Sequence, residues 1–216
     1  MNWISYNELA WTDDVVAPVE SYAKEAKLYI EAIRERVGGK AISMLHLGCG
    51  AGMHDYHFKQ HFAVTGVDLS KGMLELAKKR NPEVSYLSGD MRTVNLNKKY
   101  DVVAIPDSIP YMTSLQDLEQ AIGNAVGHLK PGGILLVVTH VKEDFRNNNF
   151  AYSGEKENIH VTVFENNHVV SDSTYEATIV YLIREEGNLK LYHEVHTLGL
   201  FAYMQWRAIF KSIVCR

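Results

Sequence analysis

The 216-residue chain is poor in cysteine and proline, with two and five respectively, and neither sign of charge dominates it. The two thiols, Cys49 and Cys215, cannot build a disulfide framework, so stability must come from a packed core. No apolar stretch approaches the ~18–20 residues that span a bilayer. The opening Met1-Asn2-Trp3-Ile4-Ser5 lacks both a basic stretch and an apolar run behind it. No signal peptide is therefore expected, and the protein reads as cytoplasmic. With 26 acidic against 22 basic residues and a net charge of −4, the chain has no general attraction to nucleic acid or anionic lipid. There is no repeat, low-complexity tract or linker, which points to a single domain over 1–216.

What is present is periodicity. From Ser21 to Val37, apolar residues at Tyr22, Ala26, Tyr29, Ile30, Ile33 and Val37 recur at helical spacing, and Gly38-Gly39 closes that helix. Strands are then predicted over Ile42–Leu47, Ala63–Val67, Val84–Leu87, Tyr100–Ile105 and Ile134–Thr139. Helices over Met53–His61, Ser70–Arg80 and Ser114–Leu129 fall between them. Such alternation predicts an α/β fold, a doubly wound and mostly parallel sheet. After Val141 the character changes. His160–Phe164, Thr174–Leu182 and Leu189–Leu198 are rich in Val, Ile, Thr and Tyr, with turn signals at Asn166-Asn167 and Glu186-Gly187-Asn188. These predict an antiparallel elaboration, followed by a last helix over Tyr203–Lys211. The expected organisation is a helical lid over 1–40, a cofactor-binding core over 41–141, the elaboration over 142–200, and a final helix with a shortened end over 201–216.

Leu45-His46-Leu47-Gly48-Cys49-Gly50-Ala51-Gly52 is an apolar run that breaks into glycines at alternate positions. Without a Cβ, such a turn lets the backbone approach a ligand closely. Asp68 closes the next apolar run, where a carboxylate can accept both hydroxyls of a ribose. The pair indicates a nucleoside-containing cofactor. The Gly-x-Gly-x-Gly spacing is one residue tighter than a dinucleotide fingerprint, and no phosphate-binding lysine follows, which suits a ligand without pyrophosphate such as S-adenosylmethionine. Ser88-Gly89-Asp90-Met91 and Ile105-Pro106-Asp107-Ser108 follow later strands, at the sheet edge where open α/β folds bind ligands.

Taken together, LGCGAG, GVDLS, GDM and LKPGG across Met44 to Thr139 resemble the class I S-adenosylmethionine-dependent methyltransferases. The likeness extends to small-molecule members that N-methylate amino sugars. It rests there on Ser21-Tyr22-Ala23-Lys24-Glu25-Ala26, Arg80-Asn81-Pro82-Glu83, Gly89-Asp90-Met91-Arg92, Ser108-Ile109-x-Tyr111, Tyr175-Glu176-Ala177 and Glu194-x-His196-x-x-x-Leu200-Phe201. The resemblance implies a Rossmann-like methyltransferase fold, S-adenosylmethionine as cofactor and a small-molecule methyl acceptor, with nitrogen favoured over oxygen. It places Tyr22 near the cofactor's carboxylate and Gly48, Cys49, Gly50 and Gly52 along its methionine portion. Asp68 and Leu69 fall at the ribose, Asp90 and Met91 at adenine, and Ile105, Pro106 and Asp107 beneath the sulfur. Tyr111 stands where such enzymes often present a histidine or tyrosine to the acceptor.

Two departures stand out. His46 occupies a position that is usually acidic and orients the cofactor's ammonium. The family also adds two strands after the last helix, whereas Ser212–Arg216 leave room for one short strand at most. Either this is a truncated form, or the exposed sheet edge is covered by another segment or by a partner, a homodimer included. These departures motivate an alternative, a protein that binds S-adenosylmethionine or S-adenosylhomocysteine without turnover. For catalysis, an amine protonated at neutral pH must lose a proton, and Asp107, Tyr111 and His140 are the candidate acceptors.

Three other patterns carry less. His54, His57 and His61 share a helix face, but no Cys or acidic partner stands at zinc-ligand spacing, so no metal is expected. His193-Glu194-Val195-His196 lacks the metalloprotease spacing and splits its histidines between strand faces. Asp107-Ser-Ile-Pro-Tyr111 differs in spacing from the Asp-Pro-Pro-Tyr of nucleic-acid methyltransferases. No nucleic-acid or membrane partner is expected.

Overall fold

The computed structural model describes residues 3–37 and 42–214. The helix stop at Gly38-Gly39 and the cysteine at 215 lie outside the described residues. Short 3-10 turns at Ile4–Tyr6 and Ala10–Thr12 lead into α1 (Asp13–Val16), and a third at Val19–Tyr22 leads into α2 (Ala23–Val37). The core follows as β1 (Ser43–Leu47), α3 (Met53–Phe58), β2 (Ala63–Asp68), α4 (Lys71–Arg80), β3 (Ser85–Ser88), β4 (Tyr100–Pro106), α5 (Leu115–Gly127) and β5 (Leu129–Val138). The elaboration is β6 (Asn148–Lys156), β7 (Ile159–Val169), β8 (Thr174–Glu185) and β9 (Asn188–Gly199), and α6 (Tyr203–Val214) follows it.

The five core strands form one parallel sheet in the order β3-β2-β1-β4-β5. Its interior strands are apolar on both faces because helices cover both. On one side Leu45, Leu47, Val103 and Ile105 pack with Leu118, Ile122 and Ala125 of α5 and with Trp206 and Ile209 of α6. On the other, Met44, Val64, Val102 and Ala104 pack with Ala26, Ile30 and Ile33 of α2, Phe58 of α3 and Leu74 and Ala77 of α4. Ser70 and Ser114 start α4 and α5 by accepting the N–H groups of Met73 and Asp117, so each helix begins where its side-chain cap stands. Strand order reverses between β1 and β4, which opens a crevice at their carboxyl ends.

The second sheet is antiparallel, in the order β6-β7-β8-β9. Val161, Val163, Tyr181 and Ile183 on its inner face enclose Leu9, with Ile4, Trp11, Val15 and Val16 packed against them. The N-terminal segment is thereby wedged between the two sheets, since Ala10 and Tyr6 also pack on Ala51 and Met73 of the core.

One expectation is corrected, and the last helix runs on past Lys211. Asn166 and Asn167 do not form a turn but lie inside β7, because an amide ladder ties them to β6. Asn166 Nδ2 donates to Asn149 Oδ1 at 2.7 Å, and Asn167 Nδ2 to Asn148 Oδ1 at 2.9 Å. The reversal comes later, where Val170 and Ser171 both donate to the Thr174 carbonyl. The ladder's other half belongs to β6, an edge strand that is mostly exposed and so carries no apolar alternation to reveal it. At the far end, Ser212 to Val214 continue α6 and form no strand.

Candidate active site

Gly48, Gly50 and Gly52 leave β1 with φ of +71°, +52° and +71°, a region costly for any residue with a Cβ. The turn is pinned from β2. Gly48 and Cys49 both donate to the Val67 carbonyl, at 2.7 and 3.0 Å. Asp68 then divides its oxygens, Oδ2 accepting the Gly50 N–H and Oδ1 the Ser70 N–H, each at 2.8 Å. Above Gly50 there is open space, whereas a Cβ on Gly48 would collide with Ser108 and one on Gly52 with Tyr86 and Asn81. Gly48 and Gly50 thus front the cleft, while Gly52 faces the core and starts α3.

The cleft encloses about 460 Å³. Its lining brings together Tyr22, Gly48, Cys49, Gly50, Asp68, Leu69, Asp90, Met91, Pro106, Asp107 and Tyr111, all singled out from sequence. Ile105 is not among them; fully buried, it packs in the core behind Pro106. His140 also stands off the lining, exposed, with its ring edge-on to Phe145 at 5.7 Å. His54, His57 and His61 are drawn to separate partners, the Glu25 carboxylate, the Val19 carbonyl and the Arg34 guanidinium. Among the described residues no three metal-ligating side chains converge.

The lining is acidic. Asp13, Asp68, Asp90 and Asp107 line the cleft together with Arg92, whose guanidinium is bonded to Asp90 and, at 2.5 Å, to Asp117. Arg92 holds the Asp90 carboxyl below its ordinary range. Burial pushes the Asp13 carboxyl up to about 7, with Asp14 adding and Arg80 opposing. Asp107, at φ +58°, is also raised, by desolvation and by Glu25, against the pull of His140 and His46. Burial pushes the Tyr22 hydroxyl up to about 12, with smaller contributions from Asp13 and Glu25.

His46 lies in the wall beneath the glycine turn. Its Nδ1 is 2.6 Å from Asp55 Oδ1, and its Nε2 is sealed from solvent with no partner. Asp55 also accepts the Tyr86 hydroxyl at 3.0 Å; that hydroxyl accepts from Asn81, whose Nδ2 donates to the Gly52 carbonyl. The substitution of His for an acidic residue is therefore accompanied by a buried carboxylate one shell behind it.

At the opposite end of the cleft stands Tyr111, the expected acceptor contact, with neighbours that sequence reasoning assigned no individual role. Trp3, Tyr6 and Asn7 from the N-terminal segment join Tyr111 and Met112 there. Tyr6 and Tyr111 bond hydroxyl to hydroxyl, and Tyr111 Oη lies 2.9 Å from His196 Nδ1. The signal for His196 was the strand alternation of β9, which puts Glu194 and His196 on the inner face together; only the second sheet's position turns that face towards the cleft.

The family model described as a methyltransferase domain matches residues 44–133. The chain is 29% identical over 198 residues to dTDP-4-amino-2,3,4,6-tetradeoxy-D-glucose N,N-dimethyltransferase of Saccharopolyspora spinosa, covering 88% of this chain and 78% of that one. It is 37% identical over 120 residues to dTDP-3-amino-3,4,6-trideoxy-alpha-D-glucopyranose N,N-dimethyltransferase of Streptomyces venezuelae, covering 55% of this chain and half of that enzyme's length. Among solved structures, DesVI of Streptomyces venezuelae superposes with a TM-score of 0.82 at 27% identity, over 89% of this chain and 83% of that one. The sugar N-methyltransferase KedS8 of a Streptoalloteichus species gives 0.85 at 25% identity, over 95% and 83%.

Proposed function

Since the chain belongs to the class I S-adenosylmethionine-dependent methyltransferases, we propose that it transfers a methyl group to the nitrogen of a small amine, an amino sugar or a molecule of similar size. The observation that carries this reading is the meeting of two surfaces across one cleft. The glycine turn and Asp68 stand on one side, and the Tyr6 and Tyr111 hydroxyls stand on the other.

The residues fit the donor. Open space above Gly50 admits its methionyl tail, and the orphaned Nε2 of His46 is an acceptor for its ammonium. Asp68, held by two backbone N–H groups, keeps lone pairs for the ribose hydroxyls. Met91 and Asp90 serve the adenine, Leu69 closes the ribose side, and Tyr22 stands by the carboxylate. With Asp90 paired to Arg92 and Asp13 holding its proton below about 7, Asp68 and Asp107 are the lining carboxylates that favour a cationic guest.

S-adenosylmethionine, when bound, supplies an electrophilic methyl group on a good leaving group, so the protein need form no covalent bond. Pro106 and Asp107 make the floor, and the Tyr6–Tyr111 pair directs the acceptor nitrogen along the line of transfer. Such positioning supplies roughly 7–11 kcal/mol of a bimolecular barrier. The N-terminal segment and the antiparallel sheet roof the acceptor chamber and exclude water.

Calorimetric titration with S-adenosylhomocysteine, together with a mass-spectrometric screen over amines, amino sugars and matched alcohols, tests the reading. Binding with methylation at nitrogen is expected. Binding without turnover on any acceptor would instead identify a cofactor-binding protein, and preference for the alcohols would reassign the acceptor atom.

A further inference from the structure

Four titratable side chains from three parts of the chain stand in single file leading out of the cleft. Tyr6 bonds to Tyr111, Tyr111 Oη to His196 Nδ1 at 2.9 Å, and His196 Nε2 lies 3.0 Å from Glu194 Oε1. That last contact is close but off the line of the ring N–H, and Nε2 has no aligned partner, so it is a close polar contact rather than a directed hydrogen bond. His196 is only 1% exposed. Trp3 stacks over its ring with centroids 4.2 Å apart and planes 22° apart.

The chemistry of the end groups sets the direction of the file. Glu194 accepts the backbone N–H groups of Ile4 and Ser5, at 2.9 and 3.1 Å, so it meets His196 as an acceptor. The imidazole then carries its proton on Nε2, facing that carboxylate, and Nδ1 is bare. Tyr111 donates to Nδ1, Tyr6 donates to Tyr111, and the Tyr6 oxygen keeps a lone pair at the cleft. Every proton in the file points away from the site.

Resting on the methyltransferase reading above, we propose that this file is a proton-exit relay for the methyl acceptor, with Tyr6 touching the amine and His196 holding the proton at the far end. The acceptor's N–H proton passes to the Tyr6 oxygen as the Tyr6 proton passes to Tyr111 and the Tyr111 proton to His196 Nδ1. This leaves a neutral amine, two neutral phenols and an imidazolium beside Glu194. The nitrogen lone pair so freed forms the new N–C bond, while the S–C pair departs with sulfur. The surroundings suit these roles. Burial holds both phenols above their ordinary range, so they transmit protons without keeping charge. Burial lowers His196 below its ordinary range, against Glu194 and the more distant Glu165, so the ring rests neutral. His196 acts through Tyr111 and Tyr6 and is a positioning residue in that sense. The groups facing it are Glu194 on its own strand, Glu165 on β7, and Trp3, Tyr6 and Tyr111.

Nitrogen NMR of the ¹⁵N-histidine-labelled protein without ligands reads the direction of the file. The Nε2–H tautomer of His196 is expected; an Nδ1–H tautomer overturns the relay whatever the enzyme turns over. In steady-state assays His196→Asn is expected to lower kcat about 100-fold for a strongly basic alkylamine. It should lower kcat less than about threefold for a weakly basic arylamine that needs no deprotonation, with the Kd for S-adenosylhomocysteine unchanged. Equal losses for both acceptors would mean a merely structural role. Glu194→Gln, which removes the charge beside the imidazolium, should move the acid limb of the kcat profile to lower pH; an unmoved limb counts against the relay. If the wild type methylates neither amine, the functional reading fails, and the tautomer still decides the relay.

Discussion

His46 and Asp55 are sealed together beneath the glycine turn, Nδ1 to Oδ1 at 2.6 Å, with neither side chain more than 2% exposed. Through Tyr86 and Asn81 the same carboxylate is tied to the Gly52 carbonyl. The pair therefore fixes both the direction of the imidazole and the far end of the turn. Asp55→Ala leaves the His46 Nδ1–H and the Tyr86 O–H without their acceptors in the interior. A loss of about 3 kcal/mol is expected in urea unfolding. A loss under ~1 kcal/mol would show that the network is not a structural anchor.

Gly48 and Gly50 have the same backbone sign but different surroundings, so alanine at each should fail differently. Gly50→Ala meets no atom within 4 Å and bears only the left-handed backbone, a cost of about 1–2 kcal/mol in stability. Its methyl group enters the space assigned to the donor, so cofactor affinity should fall more than stability does. Gly48→Ala adds a collision with Ser108 and should cost more on unfolding than Gly50→Ala. Paired denaturation and calorimetry on the two variants check this order.

Asp68→Ala removes the acceptor for two backbone N–H groups as well as the proposed ribose contact. Binding of S-adenosylhomocysteine should weaken by at least ~1.5 kcal/mol, more than tenfold in Kd. An unchanged Kd would contradict the assigned role.

Asp13 gives a pH dependence with a definite sign. Its folded carboxyl sits at about 7, above its ordinary value of 3.8, so the native state holds a proton that the unfolded chain releases. Its contribution to stability is present below the unfolded value and is lost as pH rises towards 7. Asp13→Asn should therefore raise Tm at pH ~8 and leave it nearly unchanged at pH ~4. The same ionisation adds negative charge to the cleft. The preference for cationic S-adenosylmethionine over S-adenosylhomocysteine should thus grow between pH ~6 and ~8 in the wild type and stay flat in the variant.

The order of the core elements and the donor end of the cleft were legible because their determinants are local. A parallel strand buried on both faces is a short apolar run, a positive-φ turn needs glycine, and Ser70 caps its helix within three residues. Gly48, Gly50 and Asp68 could be read for that reason. Gly52 could not be separated from them, since which of three similar glycines faces the ligand depends on Tyr86 and Asn81 packing behind it. Ile105 and Pro106 divide likewise, one behind the floor and one in it.

By itself the chain's order of residues determined the α/β core, the cofactor turn and the carboxylate that pins it, because each follows from periodicity and backbone sterics within one strand–turn–helix unit. Tyr111 was legible at the acceptor end, but only tertiary structure decided which side chains meet it there. Tyr6, Tyr111 and His196 are separated by 105 and 85 positions along the chain, and no local rule couples them. They meet because the N-terminal segment is wedged between two sheets. The apolar inner face of the second sheet must be covered, and covering it carries Glu194 and His196 to a place behind Tyr111 at the acceptor end of the cleft.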